Sequence, residues 1–243
     1  MKERLDKVLS QRLGSRTRAA DAISEGRVTV NGKTVDKPSL KVEETDQIEV
    51  AEKEHDYVSR AGGKLQAAIE KWNLDLKDRV VLDIGASTGG FTQCCLEHGA
   101  SRVYALDVGH LQLSQSLKDD PRVVEMEGVN ARDIEPDWFS IQPDFVCMDV
   151  SFISCLTILE PLLEKLKIRS MVILVKPQFE CGPSALNKKG VVKSEKAALQ
   201  AVGKVTSFLQ KQYHYVRFIP SPVKGRSGNQ EYLVLAERRI ADD

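Results

Sequence analysis

Charged side chains stand where several apolar runs stop. Asp107 closes SRVYALD, Asp149 follows DFVCM, Lys176 follows MVILV in a Lys-Pro pair, and Glu231 opens EYLVLAE. A lysine directly after five apolar residues is placed by the strand before it and is not an ordinary solvated lysine. If the first three segments are parallel strands and the last is antiparallel, all these ends share one edge of a sheet. Lys64, on a helical segment ahead of the first strand, is a fourth candidate for the alternating set Lys64, Asp149, Lys176 and Glu231. Such a set can close a sheet edge as an ion-pair network, or it can act on a bound group. Asp107, about 20 residues past a glycine turn, is placed to accept hydrogen bonds from a ribose or to cap a helix.

That glycine turn lies in Val80–Thr92, VVLDIGASTGGFT. Val80, Val81, Leu82 and Ile84, broken only by Asp83, read as a buried parallel strand. Gly85, Gly89 and Gly90 follow, and Phe91 begins an apolar segment able to start a helix. Strand, glycine turn and helix N-terminus together let backbone approach a ligand closely. The dinucleotide fingerprint needs glycine where Ser87 stands, and a phosphate-cradling loop needs lysine where Phe91 stands. A tight turn in an unrelated α/β protein is the alternative.

The elements that must position these residues alternate. After the Val80 strand come strands ending at Asp107, in RVVEME, at Asp149 and at Lys176, with helices over about 152–166 and 194–211. A helix over Tyr57–Trp72 precedes them, with Leu65, Ala68, Ile69 and Trp72 on its apolar face. Alternation of this kind predicts a doubly wound, mostly parallel sheet. YVRFIP and EYLVLAE, joined by SPVKGRSGNQ without a helix, suit a hairpin whose last strand is antiparallel.

The first fifty residues have a different character. Leu5, Val8 and Leu9 recur at helical spacing, and Ser15 can cap a second helix carrying Ala19, Ala22 and Ile23 that ends at Gly26. VTV-Asn31-Gly32-KTV reads as a hairpin with a type I′ turn, and Ile48 and Val50 supply one more short strand. From 1 to 41 there are ten Lys or Arg against five Asp or Glu. A basic face of this kind either binds phosphates or is simply solvated. Ala51–Asp56, charged and without periodicity, reads as a linker. The expected division is a small α+β domain over 1–51, a linker over 52–59 and an α/β domain over 60–243.

Composition narrows the classes. The 243 residues carry 35 basic and 35 acidic side chains, so net charge names no partner. The length is enough for one or two domains with a sizeable core. The apolar run Met171–Val175 is far too short to span a bilayer, and the N-terminus lacks a signal-peptide core, so a cytoplasmic location is the default. Five cysteines without a C-x-x-C pair, and four isolated histidines, suggest neither disulfides nor a metal site.

Three resemblances sharpen the reading. LDKVLSQRLGSRTRAADAISEGRVTVNGKTV resembles the small RNA-binding module of a small-subunit ribosomal protein, pseudouridine synthases and tyrosyl-tRNA synthetases. This implies structured-RNA binding, with Arg4, Arg16, Arg18 and Lys37 as phosphate contacts. D-x-G-x-x-x-G-G resembles the first motif of Rossmann-like S-adenosylmethionine-dependent methyltransferases. It implies cofactor binding by Asp83, Gly85, Ser87, Gly89, Gly90 and Phe91, with Asp107 on the ribose and Asp133 near the adenine amino group. The set Lys64, Asp149, Lys176 and Glu231 resembles the Lys-Asp-Lys-Glu set of FtsJ-type ribose 2′-O-methyltransferases. With SRAGGKL, DIGASTGGFT, DVSFIS, VKPQFE and GNQEYL, the whole chain over about 2–237 is similar to the TlyA family. That family consists of ribosomal RNA ribose methyltransferases often labelled haemolysins. The resemblance implies S-adenosylmethionine as cofactor, ribosomal RNA or ribosomal subunits as partner, and no metal. Two alternatives are a non-catalytic ribosome-assembly factor and a membrane-lytic protein. The family pattern has Gly-Leu or Gly-Tyr before the first lysine, where this chain has Gly62-Gly63.

Overall fold

The computed structural model describes residues 2–14, 16–24, 26–51, 57–225 and 227–239. The chain divides into two compact units, Met1–Asp56 and Tyr57–Asp243. Ser15 and most of the Ala51–Asp56 stretch lie outside the described residues.

In the first unit, β1 (Glu3–Arg4) leads into α1 (Leu5–Leu13), then α2 (Arg16–Ser24). Leu5, Leu9, Ala19, Ala22 and Ile23 are all fully buried, as the helical spacing requires. Gly26 closes α2 in the left-handed region, where Arg27 N–H reaches back to Ala22 O at 3.1 Å. β2 (Val28–Val30) and β3 (Lys33–Thr34) form the expected hairpin, with Asn31 and Gly32 at φ 51° and 75°. β4 (Lys41–Val42) pairs with β1, and β5 (Ile48–Val50) pairs with β2.

The second unit opens with α3 (Ala61–Trp72). It starts four residues later than the periodicity suggests, because Tyr57 is drawn into the core and its ring packs on Gly62. A Cβ at Gly62 would lie 2.3 Å from Tyr57 Cγ, whereas at Gly63 it would meet open space. The departure from the family pattern therefore falls at the glycine with room to spare.

β6 (Val80–Ile84), α4 (Gly90–Glu97), β7 (Arg102–Asp107), α5 (Gln115–Lys118) and β8 (Val123–Glu127) follow. Then come β9 (Phe145–Met148), α6 (Leu156–Lys165), β10 (Ser170–Val175), α7 (Pro177–Glu180) and α8 (Glu195–Leu209). The hairpin β11 (Tyr215–Pro220) and β12 (Tyr232–Glu237) ends the series. α6 begins later than expected because Phe152, at φ 67°, breaks the chain before it. α8 begins at Glu195, where Ser194 accepts the Ala197 N–H.

The seven strands lie in the order β11-β12-β10-β9-β6-β7-β8, and β12 runs antiparallel to both of its neighbours. The chain builds outward from β6 in one direction through β7 and β8, then returns to build through β9 and β10 on the other side. The order therefore reverses between β6 and β9, where open α/β sheets bind ligands. Apolar residues fill both faces, with Leu82, Tyr104 and Ile173 on one side and Leu65, Phe91 and Val172 on the other. No helix among the described residues is long and apolar enough to cross a membrane.

The reversal fixes one glycine. Gly85 N–H donates to Leu106 O at 2.8 Å, while Asp149 N–H donates to Ile84 O at 2.9 Å. Gly85 is thus wedged between the ends of β7 and β9 at φ 82°, with Asp149 O only 2.4 Å from the position of a Cβ. Gly85→Ala should destabilise the protein by about 2–5 kcal/mol, from left-handed strain plus backbone overlap. Urea denaturation would measure it, and a loss below about 0.5 kcal/mol would mean that the strand ends can part cheaply.

Candidate active site

At the reversal, a cavity of about 520 Å³ opens beyond the carboxyl ends of the strands. Its wall includes Gly85 and Ser87 from the glycine turn, Asp107 from β7, Asn130 and Arg132 after β8, and Asp149, Ser151 and Phe152 after β9. Asp107 is not a helix cap. Its Oδ2 accepts the Ser87 N–H and its Oδ1 the Gly109 N–H, each at 2.8 Å. Ser87 reaches this bond with φ 49°. Each carboxylate oxygen keeps a lone pair free of these backbone bonds.

The loop after Asp107 is held by a residue that sequence reasoning did not single out. Glu127, closing β8, accepts the N–H groups of Leu111, Gln112 and Leu113 at 2.6, 2.7 and 3.3 Å. These bonds, led by that from Leu111, lower its pKa to about 2. Gln112, so placed, lines the cavity and accepts the Ser87 hydroxyl at 3.3 Å.

Four charged residues form two pairs at these strand ends, and one of them, Asp149, lines the cavity. Lys176 Nζ is 2.7 Å from Asp149 Oδ1 and donates to Ser151 Oγ at 2.8 Å. Lys64 Nζ donates to Glu231 Oε2 at 2.5 Å, and both side chains are nearly buried. The pairs are neighbours by register: Val175 faces Tyr232 across the β10–β12 ladder, so the next positions, Lys176 and Glu231, stand at the same end. α7 is tied to the loop after Asp149 by Glu180, which accepts from Ser154 Oγ at 2.5 Å and from Cys155 N–H at 2.8 Å. Phe179 packs on Phe152 with ring centroids 5.3 Å apart.

Other expected residues fall elsewhere. Gly89, Gly90 and Phe91 do not line the cavity. Phe91 is 2% exposed and belongs to the core against α3, since the first turn of α4 points that side chain inward. Gly90 is small because Ser59 Oγ lies 2.2 Å from where its Cβ would be. Asp133 sits exposed on a short 3₁₀ turn, Ala131–Asp133, while Asn130, Ala131 and Arg132 face the cavity. Asp83 is fully buried within β6 and accepts the Thr92 hydroxyl at 2.6 Å, which ties strand to helix behind the glycine turn.

In the first unit, buried Asp6 collects two guanidinium groups. Arg4 donates to both of its oxygens at 3.0 and 2.8 Å, and Arg16 to Oδ2 at 3.1 Å. The Arg4 bond above all holds the Asp6 pKa down to about 2. The clamp sets two arginines side by side while leaving their outer N–H groups available. Arg18 and Lys37 are exposed on the same unit. Among the described residues no group of His, Cys, Asp and Glu could hold a metal.

Matches to known proteins cover both units. The FtsJ-like methyltransferase model matches residues 57–238, and the S4 domain model matches residues 3–48. Hemolysin A of Brachyspira hyodysenteriae is 43% identical over 225 residues, 90% of this chain and 92% of that protein. The 16S/23S rRNA (cytidine-2'-O)-methyltransferase TlyA of Mycobacterium tuberculosis is 40% identical over 223 residues, 90% of this chain and 83% of its own. A solved structure described as "Putative hemolysin from Streptococcus thermophilus" superimposes with a TM-score of 0.74 at 38% identity, covering 98% of this chain and 89% of that one.

Burial raises the Asp83 pKa from 3.8 to about 7, with the Thr92 hydrogen bond opposing the shift and the nearby Asp149 charge adding to it. The folded protein thus keeps a proton that an unfolded aspartate releases near pH 4, and stability falls as pH rises from about 4 to 7. Asp83→Asn should abolish that fall, which amounts to at most about 4 kcal/mol, while keeping the Thr92 bond. Denaturation of both proteins at a series of pH values checks this, and parallel curves would show Asp83 to be charged throughout.

Proposed function

The chain belongs to the FtsJ-like methyltransferase family, and on that premise we propose that it methylates a ribose 2′-hydroxyl of ribosomal RNA, using S-adenosylmethionine. The observation that carries this reading is the pairing of Lys176 with Asp149, which lines the cavity, next to the Lys64–Glu231 pair at the same strand ends. The relative named as an rRNA (cytidine-2'-O)-methyltransferase and the S4 match over residues 3–48 support RNA as the acceptor. Ribosomal subunits in the cytoplasm are then the working partner.

The cavity suits the cofactor. Asp107 offers its remaining lone pairs to the two ribose hydroxyls, and Ser87 and Gly85 bring backbone close. Leu106, Val129, Val150 and Ile153 give apolar walls for a base, with Asn130 as a polar neighbour. When bound, S-adenosylmethionine supplies a methyl group activated by its sulfonium. The protein's own task is to present the acceptor oxygen in line and manage its proton. Lys176, aimed by Asp149 and Ser151, takes that proton or stabilises the charge developing on the oxygen. Lys64 and Glu231, beside Lys176 by register, keep the charges there balanced. Asp83, Gly89, Gly90 and Phe91 shape the turn from behind. Asp133 acts on adenine only if its turn rearranges, and Asn130 is better placed.

Lys176→Ala should lower turnover by about 10² to 10⁴, with cofactor affinity within a few-fold of the parent and the protein still folded, its melting temperature nearly unchanged. Single-turnover methylation and thermal melting on one sample separate this from a structural role, in which stability would fall and the rate would not. Arg16→Ala and Arg18→Ala should each weaken ribosomal RNA binding and reduce its salt slope by about 0.7–0.9, the value of one phosphate contact. Binding isotherms over a salt series would show it; an unchanged slope would clear both arginines of phosphate contact.

A further inference from the structure

Two loops of the second unit contain no acidic residue: 181–194, CGPSALNKKGVVKS, and 221–230, SPVKGRSGNQ. Lys188, Lys189, Lys193 and Lys224 are all exposed, and no carboxylate pairs with any of them among the described residues. In a chain with equal numbers of acidic and basic side chains, this is a local excess of one sign.

The loops are also built, and built onto the site. Leu186 and Val192 form a bridge, and Asn187 Oδ1 accepts the N–H groups of Lys189 and Val191 at 2.8 and 3.0 Å, fixing a tight turn that carries Lys188 and Lys189 at its tip. Asn229, 2% exposed, clasps this hairpin: its Oδ1 accepts Val192 N–H at 2.9 Å and its Nδ2 donates to Gly190 O at 3.1 Å. The Asn229 carbonyl in turn accepts Gly225 N–H at 2.9 Å, and Gly225 packs so closely on Glu231 that a Cβ there would lie 2.6 Å from Oε1. The basic hairpin is thus joined to the Lys64–Glu231 pair, by the hydrogen bonds of Asn229 and the packing of Gly225 on Glu231.

We propose that the hairpin around Lys188 and Lys189 is a second RNA-docking surface, in the methyltransferase domain itself, that grips the phosphate backbone near the acceptor nucleotide. The proposal rests on the ribosomal RNA reading given above. Two lysines on a preformed turn suit phosphates as point charges, and no ordering of the loop is required on binding. The Asn229 clasp fixes the distance from the gripped phosphate to the site.

The test compares the full-length parent, K188Q/K189Q and K188R/K189R, binding deproteinised ribosomal RNA over a salt series from about 50 to 200 mM. For K188Q/K189Q, the slope of log affinity against log salt should fall by about 1.4–1.8, with weaker binding throughout. S-adenosylmethionine affinity and melting temperature should be unchanged, and the arginine pair should restore the slope. An unchanged slope in K188Q/K189Q, with RNA bound normally by the parent, would overturn this proposal alone. A parent that binds no RNA would remove the ribosomal RNA reading along with it. Phosphatidylglycerol vesicles form the control arm. Vesicle binding by the parent that K188Q/K189Q loses, with the RNA slope intact, would assign the lysines to an anionic membrane and also overturn the proposal.

Discussion

The Lys64–Glu231 pair is the constraint on which the site depends. Its members are 167 positions apart, one in the first turn of α3 and the other just before the last strand. A nearly buried ion pair adds little net stability, because removing both charges from water offsets most of their attraction. Losing one partner is another matter, since the remaining charge is then stranded where it cannot be hydrated. The pair therefore selects an arrangement more than it strengthens one. It requires that β12 enter the sheet with its first residue at the carboxyl edge of the parallel strands. Only an antiparallel β12 does so, and that same register brings Glu231 beside Lys176.

Much of this was legible because parallel strands are covered on both faces and so appear as uninterrupted apolar runs. Against such runs Asp149 and Lys176 stand out as the first charged residues, one step past the last ladder position. Asn31-Gly32 was legible for a different reason, because few pairs adopt two successive positive φ values. Phe91 and Asp133 were harder. An apolar residue after a glycine turn reads equally well as a ligand wall or as core, and only the rotation of the first helical turn decides. For Asp133 the 3₁₀ turn shifts the cavity face to Asn130 and Arg132, a displacement of a residue or two that no pattern encodes. Glu127 left almost no local signal, since it works through contacts made across a loop; Ser151, Glu180 and Asn229 lie inside DVSFIS, VKPQFE and GNQEYL, but no pattern shows what each of them touches.

The two units handle charge in contrasting ways. In the first, Asp6 gathers Arg4 and Arg16, so that one buried carboxylate fixes the spacing of two cations. In the second, each lysine of the site has its own carboxylate, and the exposed lysines of the 181–194 hairpin have none among the described residues. Net charge over the whole chain conceals this, because the acids that balance it are elsewhere.

Glu127 carries a consequence for the thermodynamics of association. A loop carrying Leu111 with φ 55° and its side chain 90% exposed would, on its own, sample many conformations. Three backbone amides bound to one carboxylate remove that freedom during folding. Ordering a single residue's backbone costs about 1–2 kcal/mol, so a loop of this length left free would subtract several kcal/mol from the affinity of whatever it closes on. Here that entropy is already lost in the free protein, and a ligand reaching Asp107 finds its receptor at rest.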